Sequence, residues 1–372
     1  MTDDAPRLTA LAHSLPATVP FVGPEAQERT RGGRRFRARL GANENGFGPS
    51  PRVVEAIANA APEMWKYCDP ESHELKEALS AHLGVPAANI AIGEGIDGLL
   101  GLTVRLYMEA GQPVVTSLGA YPTFNYHIVG FGGRAVAVPY RDDRESLDGL
   151  LEAVRQENPP LVYLSNPDNP MGSWWETAEL ERFMDALPAS TMLLLDEAYG
   201  EFAPEAALPA LDPSRKNVLR FRTFSKAYGL AGLRCGYAIG HADAITAFEK
   251  VRNHYGMSLM TQVAAQAALA DPAHIDETRR KVARARDEIG RIARANGLKP
   301  LPSATNFVAL DSGADGAFAL KLMQALLDRD VFVRKPMAPG LDRCIRVSVG
   351  PDDELAIFAA ELPGALTQAR GN

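Results

Sequence analysis

Cysteine is scarce in this chain: three among 372 residues, at Cys68, Cys235 and Cys344. An odd, widely spaced set supports no disulfide framework and fits a reducing, cytoplasmic setting. Metal-ligand spacing is lacking too. The seven histidines do not pair with cysteines or carboxylates at the intervals a metal site uses, so no metal is expected. No apolar run is long enough to span a bilayer. The opening "MTDDAPRLTALAHSLP" has neither a basic start nor a long apolar core, so no signal peptide is expected. Excess positive charge is also missing. With 39 basic against 46 acidic residues the net charge is −7, which speaks against nonspecific nucleic-acid binding or attachment to a membrane surface.

What is present is an ordinary globular composition, 46% apolar and 23% charged, with length ample for more than one domain. The first forty residues are polar and carry the basic cluster "RTRGGRRFRAR", read as a solvated arm. "GPSPRVVEAIANA" reads as a helix start, with Ser50 as cap and Pro51 in the first turn. Short apolar runs then alternate with helical patterns: "NIAIG", "PVVTSL", "RAVAVPY", "LVYLS" and "TMLLLDEAY". Runs that are apolar throughout suit a parallel sheet covered on both faces, hence an α/β architecture. Beyond about residue 255 long helical stretches take over, notably "HIDETRRKVARARDEIGRIARANG", interleaved with "TNFVAL", "VFVRK" and "CIRVSV". The expected organisation is an arm over 1–45 that joins a smaller C-terminal α/β domain over 256–372, with a large domain over 46–255.

"GEGIDG" sets Gly93, Gly95 and Gly98 in the G-x-G-x-x-G pattern of dinucleotide sites. That fingerprint also wants an acidic residue roughly 20 positions on, and the next strand, "PVVTSL", ends without one. A nicotinamide cofactor is therefore disfavoured. The physics of the loop survives: small residues at a helix start expose amides that can hold a phosphate.

Other strand ends carry chemistry as well. "DEAYGEF" puts Asp196 at the end of the most apolar run, with Tyr199 close behind. A carboxylate there points into the crevice where open α/β sheets bind ligands. "SNPDNPMGS" is a turn-dense loop after another strand, and "AYPTF" places Tyr121 after a third. "RTFSKAYGLAGLRCGY" follows the strand-like "NVLRFRT" and sets Lys226 among small and aromatic residues, with Arg234 further on. Taken alone, Lys226 fits a surface turn equally well; its companions are what argue for function.

This set resembles the fold-type I pyridoxal-phosphate enzymes of the aspartate aminotransferase superfamily, and within it the histidinol-phosphate aminotransferase branch. The likeness runs from "GANENGFGPSP" to "CIRVSVG" and is most specific in "TFSKAYGLAGLRCGY". It implies a large domain with a mostly parallel sheet, a smaller α/β domain, a homodimer, and a role in amino-acid biosynthesis. It implies that Lys226 forms an aldimine with pyridoxal 5'-phosphate, where an apolar site lets the lysine lose its proton easily. Asp196 would pair with the pyridinium nitrogen. Tyr199 and Asn169 would bond the phenolic oxygen, and Tyr121 would stack on the ring. The phosphate would lie among Gly95, Ile96, Asp97, Thr223, Ser225 and Arg234, with Tyr67 lent by the partner subunit. Arg346, helped by Arg334, would take the anionic end of the substrate. Asn43 would belong to a flexible segment folded over the substrate, and Phe21 would stand near it.

Four positions depart from that branch. Phe21 stands where a tyrosine is usual, and Asp97-Gly98 replaces Asp-Glu. Asp168-Asn169-Pro170-Met171-Gly172 replaces Asn-Asn-Pro-Thr-Gly, and "RNHYGMS" replaces a Pro-Tyr-Asn stretch. None touches the expected cofactor core. They leave the amino donor open between histidinol phosphate and aromatic amino acids, with Phe21, Tyr255 and Trp174 available for an apolar pocket. The acceptor implied is a 2-oxo acid, 2-oxoglutarate above others. A threonine-phosphate type decarboxylase and a non-catalytic pyridoxal-phosphate-binding regulator are the alternatives.

Overall fold

The computed structural model describes residues 6–17 and 22–371. Its strands, in chain order, are β1 (Ala38–Arg39), β2 (Ile90–Gly93), β3 (Pro113–Ser117), β4 (Arg134–Val138), β5 (Leu161–Ser165), β6 (Met192–Asp196), β7 (Val218–Thr223), β8 (Gly236–Gly240), β9 (Lys299–Pro300), β10 (Phe307–Asp311), β11 (Val331–Phe332) and β12 (Cys344–Ser348). β2 to β8 form one sheet in the order β2-β8-β7-β6-β5-β3-β4. The run from β4 to β7 is parallel, and β8 alone lies antiparallel to both its neighbours.

Burial explains the apolar runs. Every residue of β5 and β6 is buried, because helices cover both faces. Each fully buried leucine of β6 contributes roughly 1.5–3 kcal/mol relative to exposure. β4 departs from this. It is the edge strand and only Val138 is buried, so its "RAVAV" run is half-exposed rather than covered on both faces.

Helices start where the sequence caps them. Ser50 accepts from the Arg52 amide, ahead of the helix Pro51–Ala60. The helix Gly95–Tyr107 begins immediately after β2 and has no side-chain cap. The helix Pro122–Gly130 follows Tyr121, and the longest, Pro272–Ala295, buries Ile275, Val282, Ile289 and Ile292 on one side.

Beyond residue 255, β12, β10 and β9 make a small antiparallel sheet. β1 pairs in parallel with β11, Ala38 opposite Val331. One apolar cluster runs without a break from Val53 through Phe224 and Phe307 to Leu366. The N-terminal and C-terminal parts of the chain therefore close over the same end of the large sheet.

Candidate active site

The parallel strands end on one edge of the sheet, and register decides what meets there. Ser165 of β5 lies opposite Asp196 of β6. Thr223 of β7 lies opposite Gly236 of β8, which in turn lies opposite Gly93 of β2. Asp196 is buried. Its carboxylate accepts from the Tyr163 hydroxyl (2.7 Å) and from the Ala198 amide (2.9 Å). Burial pushes its pKa up to about 6 despite those bonds, so the group is an anion at neutral pH and sits close to titration.

Lys226 follows β7. Its Nζ donates to the Asn43 carbonyl (3.0 Å) and lies 5.6 Å from the centre of the Tyr199 ring. Burial, then the positive charges of Arg346 and Arg234, hold its pKa down to about 8. A neutral amine is thus accessible near physiological pH. Tyr199 is raised above its ordinary value by burial and stays protonated. Its oxygen accepts from the Asn43 side-chain amide (3.1 Å), which leaves its own O–H to donate.

A cradle for an anion lies at the start of the helix Gly95–Tyr107. Gly95 has φ +76, and a Cβ placed on it would run into the Arg234 guanidinium. Across the sheet, a Cβ on Gly236 would meet the Gly95 carbonyl carbon and the Ile96 nitrogen at 2.7 Å. Only glycines let these three segments close so tightly. Arg234 donates to the Ser225 hydroxyl (3.3 Å), and Ser225 shares a bond with Thr223 (2.9 Å). Asp97 in the same first turn meets His127 (3.1 Å). Tyr121 heads the next helix, and burial and then Asp97 raise its phenol to about 12.

The opposite wall comes from the C-terminal sheet. Arg346 donates to the Asn169 side-chain oxygen (2.5 Å) and to the Gly41 carbonyl (3.4 Å), and lies 5.1 Å from the Phe307 ring centre. Among the described residues its buried Nε has no partner. Burial brings the guanidinium down to about 10, so it remains a cation. Arg334 is its backbone partner across β12, and its side chain reaches the Val22 carbonyl and the Phe332 ring.

The segment around Asn43, expected as a flexible flap, is pinned instead. Asn43 is 3% exposed. Its amide donates to the Ser348 hydroxyl (3.0 Å), which bonds back to the Asn43 side chain (2.9 Å). Asn306 donates to the same carbonyl that receives Lys226 (3.0 Å). Asn306, Ser348 and Tyr163 were not singled out from the sequence. Each acts through a contact that only the tertiary fold brings about.

Phe21 lies outside the described residues. Tyr67 is 84% exposed and packs on Tyr255, their ring centres 5.0 Å apart. Trp174 donates to the Glu176 carboxylate (3.1 Å) and Trp175 to the Glu145 carbonyl (2.9 Å). A buried ionic group braces the strand ends: Glu197 receives Arg220 (3.1 Å) and Arg222 (2.9 Å). Among the described residues no cluster could hold a metal, and no helix is long and apolar enough to cross a membrane.

A family model described as aminotransferase class I and II matches residues 38–362. The chain belongs to the class I and II aminotransferases. A relative from Nitrosococcus oceani, named histidinol-phosphate aminotransferase 1, is 36% identical over 341 residues, 91% of each chain. A histidinol-phosphate aminotransferase from Moorella thermoacetica is 35% identical over 316 residues, 84% of this chain and 81% of its own. Among solved structures, histidinol-phosphate aminotransferase from Sinorhizobium meliloti in complex with pyridoxal-5'-phosphate is 56% identical, with a TM-score of 0.94 over 99% of both chains. The α/β fold is thus the fold-type I pyridoxal-phosphate architecture, and this aminotransferase uses pyridoxal phosphate. The site fits that group in three ways. Its glycine cradle leaves room for an anion beside Arg234. Its buried Asp196 stays anionic near neutrality. Burial first, then nearby cations, bring the pKa of its Lys226 down to about 8.

Proposed function

We propose that this aminotransferase takes its amino group from histidinol phosphate, or a donor closely like it, and passes it to 2-oxoglutarate. The observation that carries the reading is Lys226, whose pKa burial and then the cations Arg346 and Arg234 bring down to about 8. One guanidinium serves the cofactor's phosphate and the other the substrate's anionic end. The 56% identity to the histidinol-phosphate enzyme supports that donor over aromatic amino acids. The relatives' names do not favour a decarboxylase.

Bound pyridoxal phosphate supplies an aldehyde for an amine and a ring that accepts electron density. The chain supplies the rest. Gly95, Ile96 and Asp97 offer helix-start amides to the phosphate, with Thr223, Ser225 and Arg234 completing the cradle. Asp196 would hold a proton at the ring nitrogen, with its carboxylate oriented by the Tyr163 hydroxyl (2.7 Å). Tyr199 and Asn169 would donate to the phenolic oxygen, and Tyr121 would cover the ring. Lys226 Nζ, once neutral, takes the proton from the donor's α-carbon as general base and later gives it up. Arg346 holds the donor's anionic end, with Arg334 beside it, and Asn43 aims the lysine through its carbonyl.

Residues 1–45 form an arm, 46–255 a large domain and 256–372 a small one in this reading. The seven-stranded sheet and β9 to β12 support the division, and β1 ties the arm to the small domain through β11. Two copies pair through the outward face bearing Met64, Trp65 and Tyr67, which are 63%, 80% and 84% exposed. That pairing brings Tyr67 to the partner's phosphate, in a cytoplasmic homodimer.

The test is spectroscopic. Purified protein with pyridoxal phosphate should show a near-visible band, and histidinol phosphate should bleach it in a single half-turnover. Bleaching by phenylalanine or tyrosine but not by histidinol phosphate would reassign the donor. Carbon dioxide release in place of a keto product would reassign the reaction.

A further inference from the structure

Behind Asn169 lies a pair of buried carboxyl groups that the reaction above does not use. Glu145 precedes the helix Leu147–Glu157 and is 1% exposed; Asp168 follows β5 and is 2% exposed. Glu145 accepts from the Ser117 hydroxyl (2.5 Å), the Ser165 amide (3.0 Å) and the Ser165 hydroxyl (2.7 Å). Asp168 accepts from the Tyr140 hydroxyl (2.7 Å) and the Met171 amide (3.0 Å). The Ser165 hydroxyl, with one proton to give, faces both groups, standing 3.4 Å from Asp168. The two carboxyl groups therefore meet on one hydroxyl, Ser165, which stands 2.7 Å from Glu145 and 3.4 Å from Asp168.

Among the described residues neither carboxyl has an ion-pair partner. Arg144, on the same loop as Glu145, stacks on Trp175 (4.9 Å), and Arg343 is taken by Asp143 and Asp311. The other groups that face the pair are Tyr140, Tyr163 on β5, and Arg346 on β12, which feels Asp168. Asp196 lies one strand away, opposite Ser165. Arg346 interacts with Asp168 but pairs with neither group, so two anions in so dry a place are unfavourable, and one proton between them removes the conflict. Burial and then Asp168 raise Glu145 well above the ordinary glutamate value of 4.5, and burial raises Asp168 as well.

We propose that Glu145 and Asp168 share one proton and act as a positioning pair that seats Asn169 against Arg346. The proton lets Glu145 donate to the Ser165 hydroxyl and Ser165 donate on to Asp168, so the loop 168–172 is tied to the ends of β3 and β5 with a single negative charge. Loss of the proton leaves two like charges under the loop and disturbs the Asn169–Arg346 contact. The inference rests on the aminotransferase reading for its consequence, not for the proton itself.

The sign for stability follows. The folded chain keeps a proton that the unfolded chain releases, so stability falls as pH rises from the ordinary glutamate value toward the raised one. Denaturation of the full chain without cofactor should show about one proton released on unfolding in that window, and Glu145→Gln should abolish the release. The infrared spectrum of the unaltered protein at neutral pH should carry a protonated-carboxyl band that Glu145→Gln removes. An unaltered protein without that band, or a Glu145→Gln protein with the same pH slope, overturns the shared proton. With cofactor bound, KM for glutamate as probe donor should climb several-fold on the alkaline side while kcat holds, and Glu145→Gln and Asp168→Asn should both lose the climb. A climb that persists in both variants overturns the positioning role even if the proton is found. A protein that binds no pyridoxal phosphate fails the functional reading and takes the positioning role with it, while the denaturation and infrared results still decide the proton.

Discussion

Lys226 has its proton affinity set by place rather than by a single partner. Burial comes first, then Arg346, then Arg234. Only the neutral amine attacks an aldehyde, so uptake of pyridoxal phosphate by the cofactor-free chain should speed up about tenfold per pH unit and level off near pH 8. Stopped-flow absorbance would follow it. Arg346→Ala removes a positive neighbour, so the levelling point should move to higher pH. A profile that stays put would mean that burial alone sets the lysine. Lys226, Asp196 and Arg234 were singled out from the sequence because each stands in a short motif whose chemistry is explicit. Tyr163 was not, since a tyrosine inside an apolar strand reads as core until the register puts Ser165 opposite Asp196. Glu145 was hidden for the same reason: its partners Ser117 and Ser165 come from two other strands.

At the scale of elements, two local arrangements carry the site. The first is the close approach of β8 to the helix after β2. Gly95→Ala should weaken cofactor binding, because the added methyl group meets Arg234 and an L-residue resists φ +76. Equilibrium dialysis would show a higher Kd with the fold intact by circular dichroism. The second is the ionic brace under β6 and β7. Glu197→Ala strands two buried guanidinium groups and should cost about 3–5 kcal/mol, seen as a lower denaturation midpoint. The alternation of strands and helices was readable from apolar runs and caps, as at Ser50. β8 was not anticipated, since "GYAIG" is short and bounded by Gly236 and Gly240, and glycine weakens the strand signal. The edge position of β4 was equally out of reach, because strand order is a tertiary property.

On the scale of the whole molecule, the arm and the C-terminal sheet depend on each other. Arg31 and Arg34 bind Asp330, Arg37 binds Glu361, and the Ala38 amide donates to the Asp330 carbonyl (3.2 Å). Ala38→Pro deletes that donor at a fully buried residue. It should cost roughly 1–3 kcal/mol and also loosen cofactor binding, since Asn43 lies just beyond β1. A thermal scan paired with a cofactor titration would show both effects together. Loss of stability alone would mean that the Asn43 contacts survive without β1.

The pairing of β1 with β11 also has a consequence in time. A ribosome releases Ala38 early and Val331 only when the chain is nearly finished. The large sheet can fold while synthesis continues, but β1 must wait for its neighbour. Asn43, whose carbonyl receives Lys226 and whose side chain is held by Ser348, waits with it. A nascent chain therefore holds Lys226 while about a hundred further residues are made before β11 can seat Asn43, and catalytic competence comes late, in one closing step.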